Sequence, residues 1–290
     1  MSSLAETKAK VFYNRICKGD EAALDELLQK PGVDFNTVLS SGVYTVFHAV
    51  SLCQDLPVQR RMLEQLSRRW PAGHETWRKH WGESANSDIH HFEWYRAHGC
   101  PVDTVTSEDR TLLCQVVVSS YARTTPEAIA GGAALFDHLR EELPSCQGLF
   151  RLHQAWQSSL LLVIPPMMDH VLVRSEGKID VNQRLLGNAK ALPLPGEPFT
   201  GSDPVFVICD HAKSYSSPTF KSRPDTGFDV LHKHGLDWDQ CPDPIHGSRR
   251  EMAASMMGSA WLEEVIVRGR EIQLNQSLPG AAPPRRGPRF

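Results

Sequence analysis

The sequence predicts an all-α fold, and three observations support this prediction. A glycine that follows an apolar helical stretch and precedes an aspartate by two to four residues, here called the Gly-Asp mark, occurs four times. The four marks occupy 32–36, 99–104, 177–182 and 235–239. An apolar stretch with helical character precedes each mark, and a glycine after a helix can adopt the left-handed conformation that ends it. Capping residues then begin new apolar stretches, so we expect helices joined by short loops, with very short hairpin strands at most.

Three of the new stretches begin with a residue whose side chain can cap a helix. Thr45, Thr111 and Asp203 each precede a run of apolar residues. Their side-chain oxygens can accept hydrogen bonds from the exposed amides of a first helical turn. Pro204 follows Asp203 at the first helical position, where the missing amide costs nothing. On this local argument, Asp203→Ala should cost about 1 kcal/mol of stability.

The order of these signals resembles the ankyrin repeat. A helix, a Gly-x-Asp-hydrophobic-Asn turn, a hairpin-like loop and a Thr-Pro-Leu-His-like helix start follow one another in that family. The stretch KGDEAALDELLQKPGVDFN at 18–36 is the best match to a second helix and its exit loop. The start at 203 alone keeps the proline, and the start at 45 alone keeps the histidine. The resemblance implies an ankyrin-like helical repeat solenoid.

The spacing of the marks leaves two arrangements open. Their glycines lie 67, 78 and 58 residues apart, roughly double the family's period of about 33 residues. Either intervening units have lost their marks, or each unit carries an insertion. We expect a single solenoid over 1–275 with inserted helices and with insertions around 71–92 and 187–203. The Pro/Arg-rich tail at 276–290 is expected to be disordered.

The composition favours a soluble protein of the cytoplasm. The net charge of -3 provides no general attraction to nucleic acid or to anionic membranes. The longest apolar run, 160–164, is far shorter than a membrane-spanning helix requires. The N-terminus lacks the apolar core of a secretory signal. Seven widely spaced cysteines without a Cys-x-x-Cys pair are typical of a reducing compartment.

No motif in the sequence predicts a cofactor, a metal site or a catalytic centre. The glycines at 196 and 201 have the spacing of a phosphate-binding loop, but the lysine of that loop is missing. The chain has 13 histidines, yet no His-Glu-x-x-His motif and no closed four-ligand pattern. A Gly-x-Ser-x-Gly nucleophile elbow is also absent from the sequence. We therefore expect no cofactor and no metal.

The resemblance implies that the chain binds another protein, as an adaptor, an inhibitor or an immunity-type protein, and as a monomer. Loop tips and inner helices are the recognition surface of such solenoids. The candidate partner-binding residues are Thr37, Ser41, Tyr44, Asp103, Thr104, Asp239, Trp77 and Trp81. Phe35 and Trp238 are expected in the core instead. The alternative function is an enzyme, a hydrolase or a transferase, with its site hidden in the insertions.

The segment 70–94 has two interpretations. It contains four of the seven tryptophans, and Trp77 and Trp81 lie one helical turn apart. An inserted helix that packs on the solenoid would explain this composition. A partner-binding surface would also explain it, because tryptophan is enriched in binding hot spots.

Overall fold

The computed structural model divides the chain into two compact units, residues 1–104 and 105–290. It describes residues 2–33, 37–40, 44–53, 55–70, 88–97, 99, 102–103, 111–120, 125–188, 191–193, 200–214, 223–241 and 247–277. These residues are mostly helical, which confirms the predicted all-α class. The expectation of one continuous array over 1–275 stays a prediction.

The first unit contains five helices and one short hairpin among its described residues. In chain order they are α1 Ser2–Cys17, α2 Glu21–Leu28, β1 Val38–Ser40, β2 Tyr44–Thr45, α3 Val46–Ser51, α4 Leu56–Arg69 and α5 Ile89–Ala97. The two strands pair in antiparallel register. Helix α1 contacts α3, and α2 contacts α4. The second helix pair therefore packs on the first, with first helix against first helix and second helix against second helix.

The second unit contains eight helices among its described residues. They are α6 Leu112–Ser119, α7 Pro126–Glu142, α8 Leu149–Leu161, α9 Pro165–Arg174, α10 Pro204–Ser214, α11 Arg223–Lys233, α12 Arg249–Met257 and α13 Ser259–Ser277. A single 3-10 turn, Pro144–Cys146, lies between α7 and α8. Helix α13 ends at Ser277, and the predicted disordered tail from 276 onward stays a prediction.

Consecutive helices of the second unit form pairs that contact each other in chain order. The first helices of the pairs, α6, α8, α10 and α12, touch in sequence, and so do the second helices, α7, α9, α11 and α13. The two helices within each pair also touch. The core between them is apolar and includes the fully buried side chains of Phe136, Trp156 and Phe228.

The glycines of all four marks follow helices in the left-handed conformation. Gly32, Gly99, Gly177 and Gly235 have φ angles between +74° and +88°. A side chain would strain that conformation, which explains why glycine occupies these positions. The sequence prediction that the four marks end helices is therefore confirmed.

The predicted caps differ in how they act. Thr45 accepts from the backbone amide of His48, whose ring accepts from the Thr45 amide in return. The carboxylate of Asp203 accepts from the Val205 amide at 2.9 Å. Thr111 occupies the N-cap position of α6, but its hydroxyl is buried and makes no capping bond. The prediction of a side-chain cap at Thr111 is wrong, because that side chain is packed inside the core.

The described residues place two helix pairs between Gly99 and Gly177, and the exit of the first pair, at 143–148, carries no Gly-Asp mark. Between Gly177 and Gly235 they contain one pair, α10 and α11. The two explanations of the spacing, lost marks and insertions, both stay predictions.

Carboxylates link each second helix of the second unit to the next one, an arrangement here called the carboxylate ladder. Its three sets are Asp137 with His170 and Arg174, Asp169 with Lys233 and His234, and Asp229 with Arg268. Burial alone would raise the pKa of Asp169. Hydrogen bonds from His234 and Lys233 nevertheless hold that pKa below its ordinary value, so Asp169 is ionised at neutral pH.

The connection at 187–203 is closed at its base by backbone hydrogen bonds. The Leu185 amide donates to the Ser202 carbonyl at 3.0 Å, and the Gly201 amide donates to the Leu185 carbonyl at 2.8 Å. A Cβ atom on Gly201 would lie 2.4 Å from the Leu185 carbonyl oxygen and 2.6 Å from the Gly187 nitrogen. Both are backbone atoms, so no side-chain rotation can relieve this contact.

We expect Gly201→Ala to destabilise the second unit by about 1–3 kcal/mol, because the two closing segments must separate. The matched control is Gly131→Ala in the interior of α7, where an added Cβ meets no atom within 4 Å. Alanine there should stabilise the protein by up to about 1 kcal/mol. Urea denaturation of both variants measures the difference. Equal stabilities of the two variants would contradict the tight closure at Gly201.

Candidate functional site

A fully buried guanidinium organises the C-terminal half of the second unit. Arg249, the first residue of α12, has 0% of its surface exposed. Its Nε and Nη2 atoms donate to Asp203 Oδ2 at 3.0 and 2.8 Å. The Asp203 side chain is itself 5% exposed. A buried charge is very costly unless it is paired and hydrogen-bonded, and this one is both.

The remaining donors of Arg249 bond two loops. Nη2 donates to the Asn182 backbone oxygen at 2.7 Å, and Nη1 donates to the Asn182 side-chain oxygen at 3.1 Å. Nη1 also donates to the Asp237 carbonyl at 3.1 Å and to the Gln240 side chain. A guanidinium has five N–H groups, and this set of acceptors satisfies them all. We call Arg249 with these four partners the Arg249 hub.

Two Gly-Asp marks also bond each other directly beside the hub. The Asn182 side-chain amide donates to the Gly235 carbonyl at 2.9 Å. Its oxygen accepts from the Asp237 amide at 2.8 Å. The Arg249 and Arg250 amides donate to the carbonyls of Gln240 and Trp238, each at 3.1 Å. The loop 236–240 is thus held on one side by the Asn182 side chain and on the other by the backbone amides of Arg249 and Arg250.

The held loop forms one wall of an open cleft of ≈ 210 Å³. Helix α13 forms the opposite wall, and α12 contributes one side chain. The lining residues are His232, Leu236, Asp237, Trp238, Asp239, Arg250, Ile266, Arg270 and Gln273. At the rim, Asp239 is 82% exposed and lies 3.4 Å from Arg250 Nε. The lining of the cleft is therefore mainly polar, with charged groups at its edges.

Two buried ring systems beneath the cleft have polar atoms without a partner among the described residues. Trp238 stacks on Phe228 with ring centroids 5.5 Å apart, and its indole nitrogen has no acceptor. His232 lies 5.7 Å from Trp238, and its Nε2 atom has no partner. Burial lowers the pKa of His232 to about 4, so this ring is neutral at neutral pH. His232 can occupy this position because Gly269 of α13 has no side chain.

The structure describes three of the predicted partner-binding side chains. Thr37 is half-buried next to β1, where its carbonyl accepts from the Val46 amide at 3.2 Å. Asp103 is exposed at the end of the first unit. Asp239 is exposed at the rim of the cleft in the second unit. The structure thus places one predicted residue in the cleft, together with Trp238, which is buried as the sequence predicts.

The other predicted positions stay predictions. The Tyr44 backbone lies in β2, but its side chain is not among those described. Ser41, Thr104, Trp77 and Trp81 lie outside the described residues. Phe35, the other residue predicted to be in the core, also lies outside them.

The sequence prediction missed the residues that shape the cleft. A capping box, Ser248-x-x-Glu251, is visible in the sequence directly around Arg249 and would have located the start of α12. The carboxylate ladder also has a sequence signal, because an aspartate follows a bulky apolar residue at 136–137, 168–169 and 228–229. The pairing of Arg249 with Asp203 has no local sequence signal, because 46 residues separate the two partners.

The described residues offer little for covalent or metal chemistry. Among them, no group of three or more His, Cys, Asp or Glu side chains is arranged to hold a metal ion. Burial raises the pKa of Cys209 to about 12, which keeps that thiol protonated at neutral pH. Within the same residues, no helix has the length and apolar character needed to cross a bilayer.

Comparison of the chain with protein-family models, with curated protein sequences and with solved structures finds no match.

We expect Asp203→Ala to cost about 3–5 kcal/mol, because it leaves Arg249 buried without its carboxylate. This is several times the cost expected from the loss of a helix cap alone. Ser248→Ala is the matched control, since it removes a cap from the neighbouring helix and should cost about 1 kcal/mol. Urea denaturation measures both. Similar losses in the two variants would show that Asp203 acts as a cap only.

We expect the stability of the folded chain to fall as the pH decreases from 6.5 to 4, in part because of His232. In that window an unfolded chain binds a proton at this ring, whereas the folded chain, with its pKa of about 4, does not. The expected contribution reaches about 3 kcal/mol at pH 4 and then levels off. His232→Leu should reduce the slope of unfolding free energy against pH.

The buried His153, whose pKa is also lowered by burial, contributes a slope of the same sign and is retained in both proteins. The difference between the two slopes therefore isolates His232. Identical slopes between pH 6.5 and 4.5 would contradict a neutral, buried His232.

Proposed function

We propose that the chain is a divergent ankyrin-like helical repeat protein that binds another protein, as a monomer in the cytoplasm. The order of helix contacts in the second unit carries this proposal. Four helix pairs contact in chain order, first helix on first helix and second helix on second helix. A stack of this kind exposes the loops between pairs along one edge, which is the binding edge of helical solenoids.

The turns support the same interpretation. The exits of α2, α5, α9 and α11 each contain a left-handed glycine, two to four residues after the last helical residue. In the second unit, Asn182 of one mark bonds Gly235 and Asp237 of the next, which sets these two exit loops side by side. Neighbouring exit loops held in this way offer a continuous surface for a protein partner.

Exposed polar residues lie on these loops. Asp103 belongs to the mark at 99–104, and Asp239 belongs to the mark at 235–239. Burial does not determine the residue type at such exposed positions, so their side chains can serve recognition. Tyr44 is proposed as a further binding residue from its place in the hairpin of the first unit. The buried cysteines, among them Cys53 and Cys209, are free thiols, in keeping with a reducing compartment.

The proposal is tested by identifying a partner through affinity purification and then measuring its binding to purified variants by calorimetry. We expect Tyr44→Ala and Asp239→Ala each to weaken binding by about tenfold, the effect of losing one interface hot spot. Glu141→Ala, at the exposed end of α7, removes the same charge as Asp239→Ala and should leave the affinity unchanged. Circular dichroism confirms that each variant is folded.

Two outcomes would contradict this assignment. If Tyr44→Ala and Asp239→Ala bind as tightly as the parent while Trp77→Ala or Trp81→Ala abolishes binding, the inserted segment is the interface. If a purified partner binds every one of these variants equally, neither the loop edge nor the insertion is the interface.

A further inference from the structure

We infer that the cleft between loop 236–240 and α13 binds an acidic side chain of a partner protein. The inference rests on the proposed protein-binding function and identifies the chemistry of one contact. It follows from three features of the cleft. Two hydrogen-bond donors have no acceptor among the described residues, the aspartates already have partners within the protein, and the Arg249 hub holds one wall in place.

Two donor groups of the cleft have no acceptor among the described residues. Arg270 is exposed on α13 and has no ion-pair partner among the described residues. The indole N–H of Trp238 has no acceptor there, although the side chain is only 7% exposed. A buried donor without an acceptor is costly, and a ligand oxygen would satisfy it. A carboxylate offers two such oxygens and also pairs with a guanidinium in a bidentate manner.

The two aspartates of the cleft are already engaged. Asp237 Oδ1 accepts from the Asp239 amide at 2.9 Å. Asp239 pairs with Arg250 at 3.4 Å and stays at the rim. Each aspartate thus has a partner, whereas Arg270 and the Trp238 indole have none among the described residues, and these two groups favour an anionic ligand.

The cleft also suits a carboxylate that is carried by a peptide. Burial keeps the His232 ring neutral, and its Nε2 atom has no partner among the described residues. In the tautomer with the proton on Nδ1, this atom is an acceptor. The backbone N–H next to an acidic side chain supplies the donor that this nitrogen lacks. Because Trp238 and His232 are covered, the ligand reaches them by displacing side chains of α13, where Arg270 is exposed and Gln273 is half-buried.

The opposite wall is preorganised for such a ligand. The amides of Arg249 and Arg250 hold the carbonyls of Gln240 and Trp238. Stacking on Phe228 fixes the plane of the Trp238 ring. A wall that does not reorganise on binding loses less conformational entropy when the ligand enters.

The test is a titration of the full chain, labelled with ¹⁵N-tryptophan, with N-acetyl-tetraglutamate amide at constant ionic strength. The Trp238→Phe variant assigns the indole N–H signal of Trp238 by its disappearance. We expect that signal to shift downfield and to saturate, because the indole N–H gains an acceptor. Arg270→Glu should weaken the apparent affinity by about tenfold or more. Lys10→Glu makes the same charge change at an exposed position of α1 and should have no effect.

Several results would overturn the inference. The inference is wrong if the Trp238 signal does not shift during the titration, or if it responds equally to N-acetyl-tetralysine amide. It is also wrong if Lys10→Glu weakens binding as much as Arg270→Glu, because that result indicates general charge attraction. If inorganic phosphate binds as tightly as the peptide, the site is a small-anion site instead. If the peptide does not bind but a partner protein does, only the assignment of the cleft is wrong, and the protein-binding proposal stands.

Discussion

The burial of one positive charge constrains the C-terminal half of the second unit. Arg249 is removed from water, and desolvation of an ion is tolerated only when every donor finds an acceptor. Its acceptors come from the Asn182 turn, from the start of α10 at Asp203, and from the loop that contains Asp237 and Gln240. These three segments must therefore take their positions together. The need to place the acceptors of Arg249 also fixes the geometry of the cleft, because the loop that contains Asp237 and Gln240 carries Trp238 and Asp239.

Polar contacts of two kinds connect neighbouring helix pairs of the second unit. The Arg249 hub joins exit loops, whereas the carboxylate ladder joins second helices through sets such as Asp169 with Lys233 and His234. The apolar core between the pairs is less selective, because many arrangements of aliphatic side chains bury similar areas. Hydrogen-bonded charges have stricter geometric requirements. The polar contacts thus favour one order and register of stacking over the alternatives.

Local signals in the sequence were sufficient to predict the class of fold and many of the helix ends. The glycine of each mark and the Thr45 cap act within one helical turn, so a short window of sequence contains the cause. The exit of the α6–α7 pair, at 143–148, carries no mark, so the marks alone do not count the helix pairs. At Thr111, packing into the core removed the hydroxyl from its capping role. The cleft depends on contacts such as Arg249 with Asp203, and no local pattern encodes a pairing across 46 residues.

The position of Arg249 in the chain also affects how the protein is made. Synthesis proceeds from the N-terminus, and domains can begin to fold while later residues are still on the ribosome. Asn182, Asp203 and Asp237 emerge before Arg249, so their side chains and carbonyls remain hydrated until α12 leaves the exit tunnel. The α10–α11 pair therefore completes its packing only after α12 has been synthesised. A nascent chain that stops before α12 would retain an exposed, incompletely ordered end, which is the type of substrate that chaperones and quality-control proteases recognise.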